Sequence, residues 1–229
     1  MCGLGFVAEI NGRPSHDLVD KGLEILRRLA HRGAAGADPE SGDGAGILRQ
    51  IPHAFFQHEL ERRDSELPNA GDYGVVQVFF SRDRQKQQKQ MRALESVVRY
   101  HNQIVVGWRD VPVDPRVLGP LAESTRPVMK QLFVGRVAPV QSFERTLFMI
   151  RKRAGRLAGD DFYIASCSSK TVVYKGLALP EKLAAFYADL ADPNVRTSIA
   201  VVHSRFSTNT FPTWERAHPY RLLAHNGEI

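Results

Sequence analysis

The chain has 229 residues, of which 43% are hydrophobic and 24% charged, the composition of a globular protein with enough apolar material for a core. Its only cysteines, Cys2 and Cys167, argue against a disulfide scaffold and favour a cytoplasmic location. The net charge of +6 is scattered, and no stretch approaches the roughly 18 consecutive apolar residues of a membrane span. A nucleic-acid partner and a membrane partner are therefore not expected.

Strands and helices are predicted to follow one another along the chain. A strand over 3–10 precedes a helix over 15–33, for which Ser15 is the N-cap and Gly33 the stop. The remaining strands are predicted over 44–51, 73–80, 103–111, 128–137, 162–169, 171–176, 198–207 and, as a strand or a turn, 222–229. The remaining helices are predicted over 52–63, 82–101, 114–124, 143–156 and 180–190. Strands 162–169 and 171–176 are expected to pair as a hairpin.

Several of these strands are apolar on both faces, which indicates sheets covered on both sides. The chain has no internal repeat, low-complexity tract or evident linker, so the pattern predicts one α/β body with long loops over 1–229. The densest basic group, over 81–92, is interrupted by Asp83 and glutamines. A solvated helix face explains it better than a phosphate-binding patch does.

Four stretches carry residues suited to chemistry, and the first is the amino terminus, MCGLGF. Removal of Met1 would leave Cys2 with a thiol and a free α-amine, whose pKa of about 7.7–8.0 lets it act as base for the nucleophile on the same residue. Gly3 adds no side chain, so a substrate can approach closely. The alternative is that Cys2 is an accident of the gene start. Cys167 lies in a predicted strand and is interpreted as a small buried hydrophobic residue.

The second stretch, LAHRGAAGADPESGDGAGI, is a glycine-rich loop between a helix and a strand. It matches neither the P-loop nor the dinucleotide-binding pattern, and its oxygens lack the spacing of an EF-hand. A flexible surface loop is one interpretation. His31, Arg32 and Gly33 nevertheless stand out at the helix end, where terminal carbonyls can hold an arginine.

The third stretch, VVHSRFSTNTFPTW, is an apolar strand that runs into polar residues, as at many binding sites. Arg205 could bind a carboxylate through two parallel hydrogen bonds, which suits an amino-acid substrate. The alternative is a satisfied core histidine at position 203 and an Arg205 that forms a surface ion pair.

The fourth stretch, LLAHNGEI, contains Asn226 and Gly227. Asn-Gly is typical of a tight hairpin turn. Alternatively, the Asn226 amide and the Gly227 N–H are two donors suited to an oxyanion hole. No metal site is predicted, because the spacings of His203, His218 and His225 fit no zinc pattern.

Taken in order, Cys2-Gly3, HRG…AGI, HSRFSTN and HNGE resemble the class II glutamine amidotransferases, which are N-terminal-nucleophile (Ntn) hydrolases. Within that class the chain is similar to the glutaminase domains of the glutamate synthase large subunits. This similarity covers essentially the whole chain and is carried by AAGADPESGDGAGI, RPVMKQLFVGR, SCSSKTVVYKG and HSRFSTNTFPTWERAHPYRLLAHNGEI.

The resemblance implies a fold and a set of roles. The fold is α+β, a four-layer αββα sandwich of two antiparallel sheets flanked by helices. Cys2 would be the nucleophile, with its own α-amine as base, and Arg205 would hold the α-carboxylate of glutamine. Asn226 and Gly227 would form the oxyanion hole. The residues implied to shape or line the pocket are Arg32, Gly33, Phe206 and Thr208.

The implied activity is hydrolysis of L-glutamine to glutamate and ammonia through a Cys2 thioester. Ammonia would then aminate 2-oxoglutarate in the synthase domains of the same polypeptide, which would work with a small NAD(P)H-oxidising subunit. FMN and an iron–sulfur cluster are implied for that synthase part. No cofactor is expected in this chain, whose two cysteines form no cluster-binding motif.

Members of this family continue well past the position of Ile229. The fold is therefore expected to be incomplete at its C-terminus and the chain to be truncated. One alternative is a non-catalytic remnant, or a fragment that depends on a partner. Another is an Ntn hydrolase that acts on a different amide, although Arg205 favours a substrate with an α-carboxylate.

Overall fold

The structure, a computed structural model, describes residues 2–34, 38–137, 142–207, 210–223 and 225. The backbone forms two compact units. The first unit comprises Met1–Pro52, Pro112–Arg126 and Val173–Ile229, and the second comprises His53–Val111 and Pro127–Val172. The single domain expected over 1–229 stays a prediction.

Within the described residues, eight strands and six α-helices are formed. The strands are β1 (Gly3–Ala8), β2 (Ala45–Gln50), β3 (Tyr73–Phe80), β4 (Ile104–Asp110), β5 (Val128–Gly135), β6 (Tyr163–Ser168), β7 (Thr171–Gly176) and β8 (Ile199–Ser204). The helices are α1 (Asp17–Arg28), α2 (His53–Glu61), α3 (Arg84–Tyr100), α4 (Pro120–Ser124), α5 (Phe143–Leu157) and α6 (Leu183–Phe186).

The sheet of the first unit has the order β1-β8-β2-β7. Strand β8 lies between β1 and β2 and runs antiparallel to both, with Ser204 opposite Gly3 on one side and Ala45 on the other. Helix α1 packs on β1 and β8, where Gly22 allows a close approach: a Cβ there would lie 2.8 Å from the Ala200 Cβ. The ends of three sequence-distant segments therefore meet at Ser204.

The sheet of the second unit has the order β4-β5-β3-β6, and β3 is buried at every position. Helices α3 and α5 pack on each other, and they contact β4 and β6 respectively. Helix α3 begins after Asp83, whose carboxylate accepts the Lys86 N–H at 2.8 Å. Helix α5 buries residues spaced by three and four positions, which are Phe143, Leu147, Ile150 and Ala154. This spacing places one apolar face of the helix against the core.

The two antiparallel sheets, each with helices packed on it, confirm the predicted α+β class and the two-sheet, helix-flanked architecture. The predicted strand or turn over 222–229 falls mostly outside the described residues. In the described part of the chain, no helix is both long enough and apolar enough to cross a membrane.

The predicted hairpin over 162–176 is wrong. Strand β6 belongs to the sheet of the second unit, where it pairs with β3, whereas β7 belongs to the other sheet. The chain changes sheets at the turn between Ser168 and Thr171. Alternating apolar residues identify strands, but they do not identify the partner of each strand.

Three predicted helices are shorter or interrupted. Helix α1 ends at Arg28, and a 3-10 turn over Ala30–Arg32 follows it. The segment 114–124 forms a 3-10 turn over Pro115–Val117 and then α4, because a residue before proline disfavours helical geometry. The segment 180–190 is interrupted at Tyr187, which has an extended backbone and an antiparallel bridge to Val113. A tertiary contact outweighs local helix propensity there.

Candidate active site

Cys2 lies where β8 ends, because β1 begins at Gly3 and pairs with β8. The Cys2 thiol is free and half-buried. The Phe206 N–H donates a hydrogen bond to Cys2 Sγ at 3.4 Å. The Cys2 thiol donates to the Phe206 carbonyl oxygen at 3.5 Å. The sulfur is thus held against the backbone of the residue that follows Arg205.

Arg205 is brought to the same place by the pairing of β8 with β2. Its backbone N–H donates to the Gly44 carbonyl at 2.8 Å, just before β2 begins. Its side chain is 8% exposed. Nη1 donates to the Asp43 carbonyl at 3.3 Å and Nη2 to Thr210 Oγ1 at 2.7 Å. These bonds fix the plane of the guanidinium.

Two predicted pocket residues are explained by close approach. A Cβ on Gly3 would lie 2.9 Å from the Arg32 Cβ, and a Cβ on Gly33 would lie 2.5 Å from Ser204 Oγ. The 3-10 turn after α1 therefore packs directly on the strand ends that carry Cys2 and Arg205. The structure brings together four of the predicted site residues: Cys2, Arg32, Gly33 and Arg205.

A cavity of about 170 Å³ opens beside Arg205. The residues that line it include Gly33, Gly44, Ser204 and Glu181. Cys2 is not among its lining residues. The cavity is small, and its lining includes both a cationic residue, Arg205, and an acidic one, Glu181.

The other predicted site residues fall into two groups. Phe206 is 37% exposed and contributes its backbone, rather than its ring, to the contact with Cys2. Thr208, Asn226 and Gly227 lie outside the described residues. The lining role of Thr208 and the oxyanion hole of Asn226 and Gly227 therefore stay predictions.

Sequence reasoning missed Asp43. The residue is 4% exposed, and its carboxylate accepts the Ser207 N–H at 2.6 Å. Burial raises the pKa of Asp43, and the Ser207 N–H and the charge of Arg205 oppose that shift. The available signal was GDG, an acidic residue between two glycines just before a buried strand. Interpreting that stretch as a flexible surface loop left Asp43 without a role.

A cluster of histidine rings lies behind the end of β8. The ring centroids of His203 and His218 are 4.5 Å apart, and those of His218 and His225 are 5.1 Å apart. His203 Nε2 donates to the His225 carbonyl at 2.8 Å, which requires the Nε2–H tautomer. Burial lowers the pKa of His203 to about 4, and burial together with the neighbouring cations lowers that of His218 to about 3. Both rings are therefore neutral near pH 7.

The second cysteine, Cys167, has an unreactive thiol. Cys167 is buried, its S–H donates to the Leu147 carbonyl at 3.3 Å, and burial raises the pKa of its thiol to about 12. This confirms its interpretation as a small buried residue. Over the ranges that the structure describes, no group of three or more His, Cys, Asp or Glu side chains is placed to hold a metal ion.

Sequence comparison relates the chain to known proteins. The family model of the class-II glutamine amidotransferases matches residues 2–229. The chain is 48% identical over its whole length to the NADPH glutamate synthase large chain of Bacillus subtilis and 40% identical to that of Azospirillum brasilense. It is also 40% identical to the NADH glutamate synthase of Schizosaccharomyces pombe.

The match spans all of this chain but about 15% of the length of the two bacterial relatives and 11% of the yeast relative. The family model begins at Cys2, the residue before Gly3, which pairs with Ser204 where β1 meets β8. The chain belongs to the class-II glutamine amidotransferase family.

Proposed function

We propose that this chain is the glutaminase domain of a glutamate synthase and that it hydrolyses L-glutamine to L-glutamate and ammonia. The observation that carries the proposal is the placement of Cys2 Sγ 3.4 Å from the backbone nitrogen of Phe206, directly after Arg205. Hydrolysis of a free amino-acid amide needs a nucleophile and a cation for the α-carboxylate within one small site. The similarity to glutamate synthases points to the same substrate.

The reaction is proposed to begin once Met1 has been removed. The freed α-amine of Cys2 accepts the thiol proton, and the thiolate attacks the side-chain amide carbon of glutamine. Asn226 and Gly227 donate hydrogen bonds to the tetrahedral oxyanion. The α-ammonium group then protonates the departing nitrogen, so ammonia leaves and a γ-glutamyl thioester remains. Water, deprotonated by the same amine, attacks the thioester, and the sulfur regains its proton as glutamate leaves.

Arg205 is assigned to the α-carboxylate. Its guanidinium is held by the Asp43 carbonyl and by Thr210 Oγ1, so little side-chain freedom is lost when a carboxylate binds. Arg32 and Gly33 shape the wall next to Cys2, and Phe206 and Thr208 line the pocket. An amide substrate without an α-carboxylate would leave Arg205 without its ligand.

In the whole enzyme, we propose that the ammonia aminates 2-oxoglutarate in cytoplasmic synthase domains of the same polypeptide. A small NAD(P)H-oxidising subunit is the proposed further partner. FMN and the iron–sulfur cluster are assigned to that synthase part. The residues of this chain do not fit the cluster, because its two cysteines cannot supply four thiolates.

The test is glutamine turnover by the purified chain, with glutamate and ammonia measured together. Cys2→Ala should abolish turnover, whereas Cys167→Ala, a change of the second cysteine, should leave it nearly unchanged. Asn226→Ala should lower kcat by roughly 10²–10³-fold because one oxyanion donor is lost. Intact-mass measurement on the same sample should show that Met1 is absent.

Three outcomes would contradict the proposal in different ways. Full activity with Met1 retained would remove the α-amine from the mechanism. A cooperatively folded chain that lacks Met1 and turns over no glutamine would favour a non-catalytic remnant. Faster hydrolysis of amides without an α-carboxylate would favour an Ntn hydrolase with another substrate.

A further inference from the structure

Asp43 connects the loop after α1 with the residues that follow β8. Its backbone N–H donates to the Ala34 carbonyl at 2.9 Å, and its own carbonyl accepts from Arg205 Nη1 at 3.3 Å. Its carboxylate accepts the Ser207 N–H at 2.6 Å, and the carbonyl of the next residue, Gly44, accepts the Arg205 N–H at 2.8 Å. Three chemical groups of one residue thus hold two segments of the site.

The Asp43 carboxylate is buried against the Ser207 N–H and near the charge of Arg205. A buried charge is unfavourable unless hydrogen bonds or an opposite charge compensate it, and Ser207 and Arg205 supply both. Ser207 lies past the end of β8, where the strand ladder no longer provides a partner for its N–H. Asp43 therefore supplies the hydrogen bond that the sheet does not.

The 205–207 turn carries both the residue assigned to the α-carboxylate of glutamine, Arg205, and the Phe206 backbone that contacts Cys2. Arg205 and Phe206 lie between the end of β8 and Ser207, and Arg205 also donates to Thr210 Oγ1 at 2.7 Å. If the Ser207 N–H were released, the guanidinium and the backbone against Cys2 could shift together. Displacements of about 1 Å at such groups can lower the rate of a reaction by roughly 10²-fold.

We propose that Asp43 is a positioning residue of this site: its carboxylate anchors the 205–207 turn, so that the Arg205 guanidinium keeps its place and the Phe206 backbone stays against the Cys2 thiol. Asp43 does not touch the substrate and acts through these two residues. The inference rests on the proposed function, because that function assigns Arg205 to the α-carboxylate of glutamine.

The experiment compares two reagents that alkylate the same thiol. 6-Diazo-5-oxo-L-norleucine, a glutamine analogue, needs the α-carboxylate site and loses N₂ on alkylation, whereas iodoacetamide needs only an accessible thiol. Asp43→Ala should lower the ratio of the two labelling rates at Cys2 by roughly 10-fold or more. Asp43→Asn should retain most of the ratio, because its amide oxygen can still accept the Ser207 N–H. In turnover, Asp43→Ala should raise KM for glutamine, because Arg205 shifts, and lower kcat, because the backbone against Cys2 shifts with it.

The matched control is Asp38→Ala. Asp38 is an aspartate of the same loop, but its carboxylate accepts from Ser41 Oγ at 2.7 Å and from the Leu121 N–H at 3.1 Å, away from Arg205. Its replacement should leave the labelling ratio unchanged. An equal loss in Asp38→Ala would show general loosening of the loop and would overturn the proposal.

Other outcomes separate the two hypotheses. A wild-type ratio in Asp43→Ala, or an Asp43→Asn chain as slow as Asp43→Ala, overturns the role of Asp43 alone. If Asp43→Ala does not fold, Ser207→Pro removes the same hydrogen bond from the donor side and must give the same loss. A wild-type chain that shows no preference for the glutamine analogue overturns both the proposed function and the role of Asp43.

Discussion

The two units bury different kinds of side chain. The second unit encloses one apolar cluster, formed by Val76, Val78, Phe80, Leu94, Val97, Val98, Leu132, Val134, Phe143, Leu147, Ile150, Ala154, Ile164 and Cys167. Around the end of β8, the first unit buries polar and charged residues to a similar degree, namely Asp43, Lys175, His203, Ser204, Arg205 and His218. Polar groups are unfavourable inside a protein unless they are paired. The region of the first unit that holds the candidate site therefore gains less stability from apolar packing than the apolar cluster of the second unit does.

Buried polar groups in the second unit form a connected hydrogen-bond network. Arg109 Nε donates to Glu59 at 2.7 Å, Arg109 Nη1 to Gln131 at 3.1 Å, and Gln131 Nε2 to Gln77 at 2.8 Å. This network stabilises the sheet without an evident ligand.

At the end of β8, by contrast, several buried polar atoms have no hydrogen-bond partner within the described part of the chain. They are His203 Nδ1, Ser204 Oγ, His218 Nδ1 and His225 Nε2. Unpaired atoms in the second unit are scattered over separate elements, at Gln77, Gln87 and His101. Within the described residues, a cluster of such atoms therefore lies at one strand end in the first unit, whereas those of the second unit lie apart.

The largest expected effect tests the apolar side of this comparison. Phe80 is fully buried between Trp108 and Phe162, with ring centroids 5.7 and 5.5 Å away. Phe80→Ala should lower the free energy of unfolding by about 3–5 kcal/mol, measured by urea denaturation. Cys2 labelling in the still-folded protein should not change.

The control for that prediction is Phe148→Ala, on the exposed side of α5 in the same unit. Phe148 is 43% exposed, so its loss should change the free energy of unfolding by less than about 0.5 kcal/mol. Equal effects of the two substitutions would mean that the apolar cluster does not dominate the stability of the second unit.

The next effect is specific to the first unit and depends on pH. The folded-state pKa values of His203, about 4, and His218, about 3, lie below the ordinary value of 6.5. The unfolded chain therefore binds protons that the folded chain does not, so stability is present above about pH 6.5 and is lost as the pH falls. His203 alone should account for a loss on the order of 2–3 kcal/mol between pH 7 and 4.5. The raised pKa of Asp43 acts in the opposite direction.

Hydrogen exchange can locate this loss. After correction for intrinsic rates, amides of β2 and β8 should lose protection at pH 4.5, while those of β3 and β5 keep theirs. His203→Gln should weaken the acid dependence, and His31→Gln, which removes an exposed imidazole, should retain it. Equal loss of protection in both sheets would show that acid destabilises the whole chain rather than the polar region.

The sequence predicts the second unit better than the first. Alternation and β-rich composition locate β3, and long helix-forming side chains locate α3; both elements contribute to the same apolar cluster. In the first unit, the helix over 180–190 is interrupted at Tyr187 by a bridge to Val113, a contact that no local pattern encodes. The same limit explains the failed hairpin, since β6 and β7 are adjacent in sequence but join different sheets.

The candidate site divides in a similar way. Cys2, Arg32, Gly33 and Arg205 could be named from the resemblance of their motifs, and the structure brings them together. For Asp43, the GDG pattern shows an acidic residue between glycines but not its partner, the Ser207 N–H, a backbone group 164 positions away. Side-chain chemistry is encoded locally, whereas the hydrogen-bond partners of loop backbone depend on the folded structure.

The smallest expected effect compares a glycine in each unit. Gly44 has φ +138°, and a Cβ there would lie 2.9 Å from the Ala217 Cβ. Gly44→Ala should cost about 1–3 kcal/mol of unfolding free energy and, through the Gly44 carbonyl that accepts the Arg205 N–H, should slow labelling by the glutamine analogue. Gly71 of the second unit has φ +90° with open space around it, so Gly71→Ala should cost only about 1 kcal/mol and leave labelling unchanged. Unchanged labelling in Gly44→Ala would mean that the polar region tolerates a backbone shift at Gly44 without displacing Arg205.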